Sequence, residues 1–159
     1  MGRKKIKIGG ILKRRGLAQI SILSAPDRQD VLASVFEALG TSGINTSFIV
    51  QTTDPNNLDT IVLAVARAEL AVALEALRDI RDGVCARELL SVKEVAMISV
   101  FGPHFGEEPG IAGVMFTAMA SAGIPILAVS TSISSLSCLI EEEGMEKALT
   151  AVENAFELP

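Results

Sequence analysis

The sequence carries one pattern of apolar residues and glycines twice, about 80 positions apart. Apolar matches alone could arise by chance, but glycines that match at the same offset make chance a poor explanation. Two copies of this size predict two small domains, because a solenoid needs three or more shorter repeats. The aligned pairs are Val31 and Ile111, Val35 and Met115, Phe36 and Phe116, Ala38 and Ala118, Gly43 and Gly123, Ile44 and Ile124, and Ile49 and Val129.

The first copy predicts a helix over residues 30–41. Its apolar side chains recur with the spacing of a single helix face. Asp30 can act as the N-cap by accepting a hydrogen bond from an exposed backbone N–H. Gly43 can adopt the positive φ that ends such a helix. The apolar residues of this face are Val31, Leu32, Val35, Phe36 and Leu39.

Alternation, apolar spacing and turn residues divide the rest of the chain into further elements. In the first half, we predict strands at 5–12, 17–23, 44–51, 59–65 and 84–90, and a second helix at 69–80. We predict turns at 14–16 and 53–57, and we expect Asp82 and Gly83 to stop the second helix. In the second half, we predict strands at 95–101, 124–130 and 136–140, and helices at 111–121 and 145–156.

The strand count links the two copies. The first copy has one strand too many, at 5–12, whereas the second copy lacks its last strand. We therefore predict that residues 5–12 pair with 95–101, which removes an unpaired sheet edge. The predicted fold class is α+β, with two ferredoxin-like (βαββαβ) domains, the first inserted into the second. The predicted domains are residues 14–91, and residues 5–13 together with 92–159.

Composition bears on the compartment. Hydrophobic residues make up 49% of the chain, yet no apolar run reaches the roughly 18 residues that cross a bilayer. The basic start is not followed by the apolar segment of a secretory signal. Cys85 and Cys138 fit neither a disulfide framework nor a metal motif. We expect a cytoplasmic protein with reduced thiols and no membrane partner.

The N-terminal 16 residues contain seven of the 14 basic residues and no acidic residue. A basic tail can bind nucleic acid. This one is short, lacks aromatic residues and leads directly into a predicted strand. We therefore interpret it as a solvated edge strand or an interaction arm, and we expect no nucleic-acid partner.

Motifs in both copies resemble the tandem ACT domains of aspartate kinase (aspartokinase) regulatory regions. The first copy has Pro26-Asp-Arg, Phe36, Gly43-Ile-Asn and Ile49-Val-Gln; the second has Glu108-Pro-Gly, Phe116, Ala122-Gly-Ile, Val129-Ser-Thr-Ser and Ser137-Cys-Leu-Ile. The resemblance covers about residues 6–157 and implies one ACT domain inserted into the other, without the kinase domain. A chain of this kind is expected to be a homodimeric regulatory beta subunit that acts on a separate aspartate kinase chain in aspartate-family amino-acid biosynthesis.

The resemblance also implies an effector site between the ACT domains of paired chains. Backbone N–H groups at a helix N-terminus suit the effector's α-carboxylate, while an aspartate and strand polar groups receive its ammonium. Asp30 can equally be a simple N-cap, and Asp27 and Asn45 can serve the turn and the strand end. The predicted ligand-binding residues are Ser24, Ala25, Asp27, Asp30, Val31, Asn45, Thr46 and Gln51, completed by Pro125 and Ile126 of another domain.

Three departures from the family pattern affect the choice of effector. The acids of family lysine sites fall near Ser47 and Ile133, neither of which is acidic, and Pro125 replaces the asparagine of the second Gly-Ile-Asn. A small effector such as threonine is therefore favoured over lysine. The alternative is an oligomerisation module without a working effector site.

The sequence does not favour independent catalysis. His104 is the only histidine and has no neighbouring cysteine or paired carboxylate with which to bind a metal. The chain contains neither a G-x-S-x-G elbow nor a G-x-x-x-x-G-K-[ST] phosphate loop. We expect no cofactor, no metal and no catalytic residue, and a stand-alone enzyme is the least favoured interpretation.

Overall fold

The computed structural model describes residues 4–26, 31–84 and 88–159. Six strands and four α-helices are present in these ranges, together with two short 3₁₀ turns at Arg67–Glu69 and Glu142–Gly144. In chain order the elements are β1 (Gly10–Pro26), α1 (Val31–Thr41), β2 (Phe48–Thr53), β3 (Leu58–Ala66), α2 (Leu70–Val84), β4 (Glu88–Phe101), α3 (Ile111–Ser121), β5 (Ala128–Thr131), β6 (Ser135–Glu141) and α4 (Met145–Ala155).

The chain divides into two compact units. One unit, here called the continuous unit, is Gly16–Glu94. The other, here called the split unit, combines Met1–Arg15 with Val95–Pro159. The long strands β1 and β4 each contribute residues to both units.

In the continuous unit the strands lie in the order β2-β3-β1-β4, and β3 pairs antiparallel with both β1 and β2. Helices α1 and α2 pack together over one face of this sheet. The unit therefore has the strand order and connections of a βαββαβ plait. Its core contains Ala18, Ile20, Ile22, Val31, Val35, Leu39, Ile61, Leu63, Val65, Leu70, Ala73 and Leu77.

The split unit repeats this order as β1-β4-β6-β5. The N-terminal residues take the place that β4 has in the continuous unit, and Gly9 N–H donates to the Phe101 carbonyl over 2.6 Å. The C-terminus pairs with the same segment, since Ile8 N–H donates to the Glu157 carbonyl over 3.0 Å. The core contains Ile8, Ala96, Ile98, Val100, Ile111, Met115, Met119, Leu136, Cys138, Ile140, Met145, Ala148, Val152 and Phe156.

The C-terminal ends of α1 and α3 agree with the sequence prediction. Helix α3 covers the predicted residues 111–121. Gly43 and Gly123 have φ values of 73° and 69°, a conformation that costs glycine little because it lacks Cβ. The repeated glycines therefore end the two equivalent helices. None of the described helices is both long and apolar enough to cross a membrane.

Several boundary predictions were wrong. Residues 14–16 lie inside β1 rather than in a turn, although Gly16 has a φ of 71°. Helix α2 continues through Asp82 and Gly83 to Val84. The strand predicted at 95–101 belongs to the single strand β4, which begins at Glu88. In β1 and β4, pairing between neighbouring strands overrides local propensity, whose effect is only about 1 kcal/mol.

The start of β2 and the burial of two phenylalanines also differ from expectation. Strands β2 and β5 begin at Phe48 and Ala128, each four residues after the predicted starts at 44 and 124. Phe36 and Phe116 hold equivalent places, but both are only half-buried against their cores. The fully buried residues of these helices include Leu39 and Met119.

Candidate functional site

The end of β1 contains a β-bulge just before α1. Ile22 pairs with Ile61 and Ala25 pairs with Asp59, so β1 has one more residue here than β3 does. Ser24 lies in the bulge with a φ of 54°, which is uncommon for a residue with a Cβ. Bulges often redirect a strand beside a functional site. This one lies near the end of β1, a few residues before the start of α1 in the sequence.

Helix α1 begins at Val31, whose side chain is buried in the core at 2% exposure. Ala25 is also fully buried. These two residues can therefore contribute backbone groups to a ligand, but not side chains. Asp27 and Asp30 lie outside the described residues, so their roles as ammonium partner and N-cap stay predictions.

The polar residues predicted beyond α1 lie on its far connection and on β2. Asn45 is exposed and Thr46 is half-buried, and both precede β2. Gln51 is exposed on β2 and pairs with Ile61 of β3. Because paired residues project to the same side of a sheet, Gln51 lies on the face that carries the helices.

A hydrogen-bond chain that the sequence analysis missed continues from Gln51. Gln51 Nε2 lies 3.2 Å from Thr53 Oγ1, and Thr53 Oγ1 lies 2.6 Å from Asp59 Oδ1. Thr53 pairs directly with Asp59 across the hairpin. The signal was present in β3, because Asp59 occupies the same alternation phase as the buried Ile61 and Leu63.

The turn between β2 and β3 is held by a second aspartate. Asp54 Oδ1 accepts the backbone N–H of Asn56 at 2.7 Å and that of Leu58 at 3.0 Å. Asn57 adopts a left-handed conformation with a φ of 57°, which asparagine tolerates well. The hairpin that carries Gln51 is thus fixed at its tip by local hydrogen bonds.

The predicted residues fall in both units. Those between Ser24 and Gln51 belong to the continuous unit, whereas Pro125 and Ile126 belong to the split unit. Pro125 is exposed and Ile126 packs partly against the split-unit core. Their predicted contribution to the site of another domain stays a prediction.

The split unit has an equivalent helix N-terminus at α3. Gly110 precedes the helix with a φ of 99°, and no side chain caps it. A cavity of about 740 Å³ opens there, lined by Lys4, Lys5, Glu108 and Thr117 among others. A second cavity of about 540 Å³ lies beside the loop at 102–108.

These features match a known family. A profile of the ACT domain matches residues 98–156. The crystal structure of the regulatory subunit of aspartate kinase from Thermus flavus superposes with a TM-score of 0.87 at 30% identity, over 95% of this chain and 99% of that one. The chain belongs to the family of aspartate kinase regulatory subunits. This membership accounts for the two ferredoxin-like units and for their strand order.

Some relatives of the chain are longer. An aspartokinase of Pseudomonas aeruginosa is 31% identical over 151 residues, which cover 95% of this chain but 37% of that protein. A structure described as aspartokinase alpha and beta subunits is 26% identical, with a TM-score of 0.85 and 97% of that chain covered. The chain thus spans little more than a third of the curated relative but nearly all of the regulatory subunits.

As a family member the chain is a regulatory module. His104 Nδ1 lies 3.2 Å from Glu107 Oε2, and both side chains are exposed. Burial raises the pKa of the Cys138 thiol to about 11, which makes it a poor nucleophile. Within the described ranges no group of three or more histidine, cysteine, aspartate or glutamate residues could hold a metal.

Proposed function

We propose that the chain senses a small amino acid at the end of β1 in the continuous unit and thereby regulates an aspartate kinase. The observation that carries this proposal is the match, over nearly the full length of both chains, to the Thermus flavus regulatory subunit. A ligand regulates only if it binds two states with different affinity. A site shared by paired chains meets this condition, because it exists only in the paired state.

The proposed site combines backbone donors with polar side chains. The first turn of α1 has N–H groups without partners inside the helix, and these can bind the α-carboxylate. Asp27 and the Gln51 carboxamide oxygen would receive the ammonium through hydrogen bonds, of which the charge-assisted ones are strong. The proposed residues are Ser24, Ala25, Asp27, Asp30, Val31, Asn45, Thr46 and Gln51, with Pro125 and Ile126 of another domain.

A small neutral effector such as threonine fits these residues better than lysine does. The second ammonium of lysine needs a carboxylate, but Ser47 is a half-buried hydroxyl and Ile133 is an apolar side chain with 90% exposure. Pro125 also removes one N–H donor. Within the effector hypothesis, threonine therefore has the better chemical match.

A thermal-shift panel of the twenty amino acids tests the sensing proposal. A ligand that binds only the folded form raises the melting temperature as its concentration rises. We expect threonine to do so and lysine to have little or no effect. Gln51→Ala should abolish the rise, whereas Asn56→Ala, an exposed amide in the same hairpin, should preserve it. Calorimetry that finds tighter binding of lysine than of threonine would contradict the effector choice.

The edge strand β2 supports a homodimer. It ends the strand order of the continuous unit, and Ile49 on it is 46% exposed. An open apolar edge favours pairing with another chain, and a second copy would cover it. Ile49→Lys should shift sedimentation from dimer to monomer and weaken threonine binding. Val72→Lys, at an equally exposed apolar site on α2 (51%), is the matched control and should leave both unchanged.

The proposed partner is a separate aspartate kinase chain, and the proposed compartment is the cytoplasm. The support is the related structure whose description includes both alpha and beta subunits. Aspartate kinase activity of a catalytic chain should change when this chain is added, and change again with threonine. The three mixtures to compare are the catalytic chain alone, the catalytic chain with this chain, and both chains with threonine. The same rate in all three rejects regulation in trans.

The alternative is an oligomerisation module without a working effector site. The departures from the family pattern at Pro125, Ser47 and Ile133 are the observations that favour it. If no amino acid at millimolar concentration shifts melting or produces heat, while the chain still dimerises, this alternative replaces the sensing proposal.

A further inference from the structure

The hydrogen-bond chain from Gln51 to Asp59 has a direction. A carboxylate accepts hydrogen bonds and has none to donate, so Thr53 must be the donor in its 2.6 Å contact with Asp59. A hydroxyl has a single hydrogen, so Thr53 Oγ1 can meet Gln51 only as an acceptor. The end of the Gln51 amide that faces Thr53 is therefore the NH₂ group, in agreement with the 3.2 Å distance from Nε2.

This direction decides which end of the Gln51 amide is available to a ligand. With Nε2 engaged by Thr53, the carboxamide oxygen has no hydrogen-bond partner within the described part of the chain. The Gln51 side chain is exposed. A carbonyl oxygen accepts hydrogen bonds from an ammonium but cannot pair with a carboxylate.

We propose that Asp59 is a positioning residue that sets the specificity of the site for an ammonium group. Through Thr53 it holds the Gln51 carboxamide with its oxygen outward. The inference rests on the proposed function, because it takes Gln51 as a residue that contacts the effector. Asp59 acts through its neighbours and does not touch the ligand.

The burial of Asp59 supports this assignment. Its side chain is 2% exposed, and among the described residues it is the only charged member of the buried polar set, which also contains Gln19 and Ser99. Burying a carboxylate is costly unless hydrogen bonds compensate. An apolar residue in the same phase as Ile61 would avoid that cost. Only an acceptor without a hydrogen, however, fixes the direction of the chain.

Asp59→Asn isolates the direction, because the two side chains have nearly the same shape. The asparagine NH₂ group can donate to Thr53 Oγ1, which frees the hydroxyl hydrogen for the oxygen of Gln51. The Gln51 amide can then turn, so that its NH₂ group faces outward. Asp54→Asn is the matched control, since it makes the same chemical change in the same hairpin but leaves the oxygen that accepts the turn N–H groups.

Nuclear magnetic resonance of the unliganded full chain tests the orientation directly. In the wild type we expect nuclear Overhauser contacts between the Gln51 side-chain NH₂ protons and the Thr53 methyl group. In Asp59→Asn we expect these contacts to lose most of their intensity. Asp54→Asn should keep them. Unchanged contacts in Asp59→Asn would overturn the inference whatever the ligand.

Calorimetry with two ligands tests the consequence. L-threonine and 2,3-dihydroxybutanoate differ only in that a hydroxyl replaces the ammonium. The wild type should prefer threonine, and Asp59→Asn should reduce the ratio of the two affinities about tenfold, as the loss of a charge-assisted hydrogen bond implies. A loss of stability alone would lower both affinities and leave the ratio unchanged.

A second substitution should restore the preference. Gln51→Glu places an oxygen outward in either orientation, and in the double variant with Asp59→Asn it can accept the freed Thr53 hydrogen. The double variant should therefore recover the preference for threonine over the hydroxy acid. Failure to recover it, or an unchanged ratio in Asp59→Asn alone, contradicts the inference.

The outcomes separate the two proposals. If threonine binds the wild type and Asp59→Asn with the same selectivity, the sensing proposal stands and the role of Asp59 fails. If no amino acid binds the wild type, the sensing proposal fails. The assignment of specificity to Asp59 fails with it, and the resonance measurement then decides only whether Asp59 orients Gln51.

Discussion

Leu39 and Met119 are equivalent residues of the repeat, and each is at most 1% exposed in its own unit. Leu39→Ala and Met119→Ala should each lower the free energy of unfolding by about 2–5 kcal/mol, the usual cost of such a cavity. Leu32→Ala on the same helix as Leu39 is the control. Its side chain is 36% exposed, so we expect a loss of less than about 1 kcal/mol.

Denaturant titration measures these differences. A small loss for Leu39→Ala or Met119→Ala would mean that the helix face assigned to the core is wrong. Phe36→Ala and Phe116→Ala should each lower the free energy of unfolding by less than the roughly 3–5 kcal/mol expected for a fully buried ring. The reason is that both rings are only half-buried.

At the residue scale, the sequence indicates candidates better than it indicates their contacts. Gln51 could be selected because an amide at the end of an apolar strand needs an explanation. Thr53 and Asp59 could not be joined to it, because their contact depends on the register of the hairpin. A single sequence does not show which residues of two strands lie opposite each other, so it does not give the register.

At the scale of one element, substitutions of the two glycines near the end of α1 should change stability in opposite directions. Gly43 has a φ of 73°, so Gly43→Ala should destabilise the chain by about 1 kcal/mol through backbone strain. Gly40 lies within the helix, and a Cβ there would meet nothing within 4 Å. Gly40→Ala should therefore stabilise the chain by about 0.5–1 kcal/mol.

Thermal melts of the two variants provide the check, and the wild type is the common reference. A shift of the same sign in both would contradict the assignment of Gly43 as the residue that ends the helix. A Cβ at Gly43 would also meet nothing within 4 Å. Packing therefore cannot explain a difference in melting temperature between Gly43→Ala and Gly40→Ala.

Helices could be predicted more closely than strands. The bounds of α3 agree with the prediction because apolar spacing and Gly123 are both local signals. Strands β1 and β4 each run through positions that were predicted to be turns or separate strands. Their continuity comes from ladders with residues distant in sequence, and local propensity is a weak guide to such pairing.

At the scale of the whole molecule, the N-terminal segment is part of the split unit. Ile8 is 3% exposed in its core, and Glu157 N–H donates to the Ile6 carbonyl over 2.9 Å. Deleting residues 1–9 should speed hydrogen exchange at the Glu157 amide and loosen the split-unit core. Ile8→Ala, which keeps the backbone, should destabilise the core but preserve protection at Glu157.

Hydrogen exchange followed by mass spectrometry resolves these regions. The β2–β3 hairpin of the continuous unit should keep its protection in Ile8→Ala and serves as the internal reference. Unchanged exchange at Glu157 after the deletion would show that the pairing does not persist in solution.

The parallel bridge between Lys7 and Glu157 brings the two ends of the chain close together. Residues 4 and 159 are then about 16 Å apart along the strand direction, a distance that about eight flexible residues can span. Opening the exposed turn at 54–57 and joining the old ends should give a circular permutant that melts within a few degrees of the parent. In that permutant the split unit would be uninterrupted and the continuous unit would be divided, so which unit counts as the insertion depends on where the chain is opened.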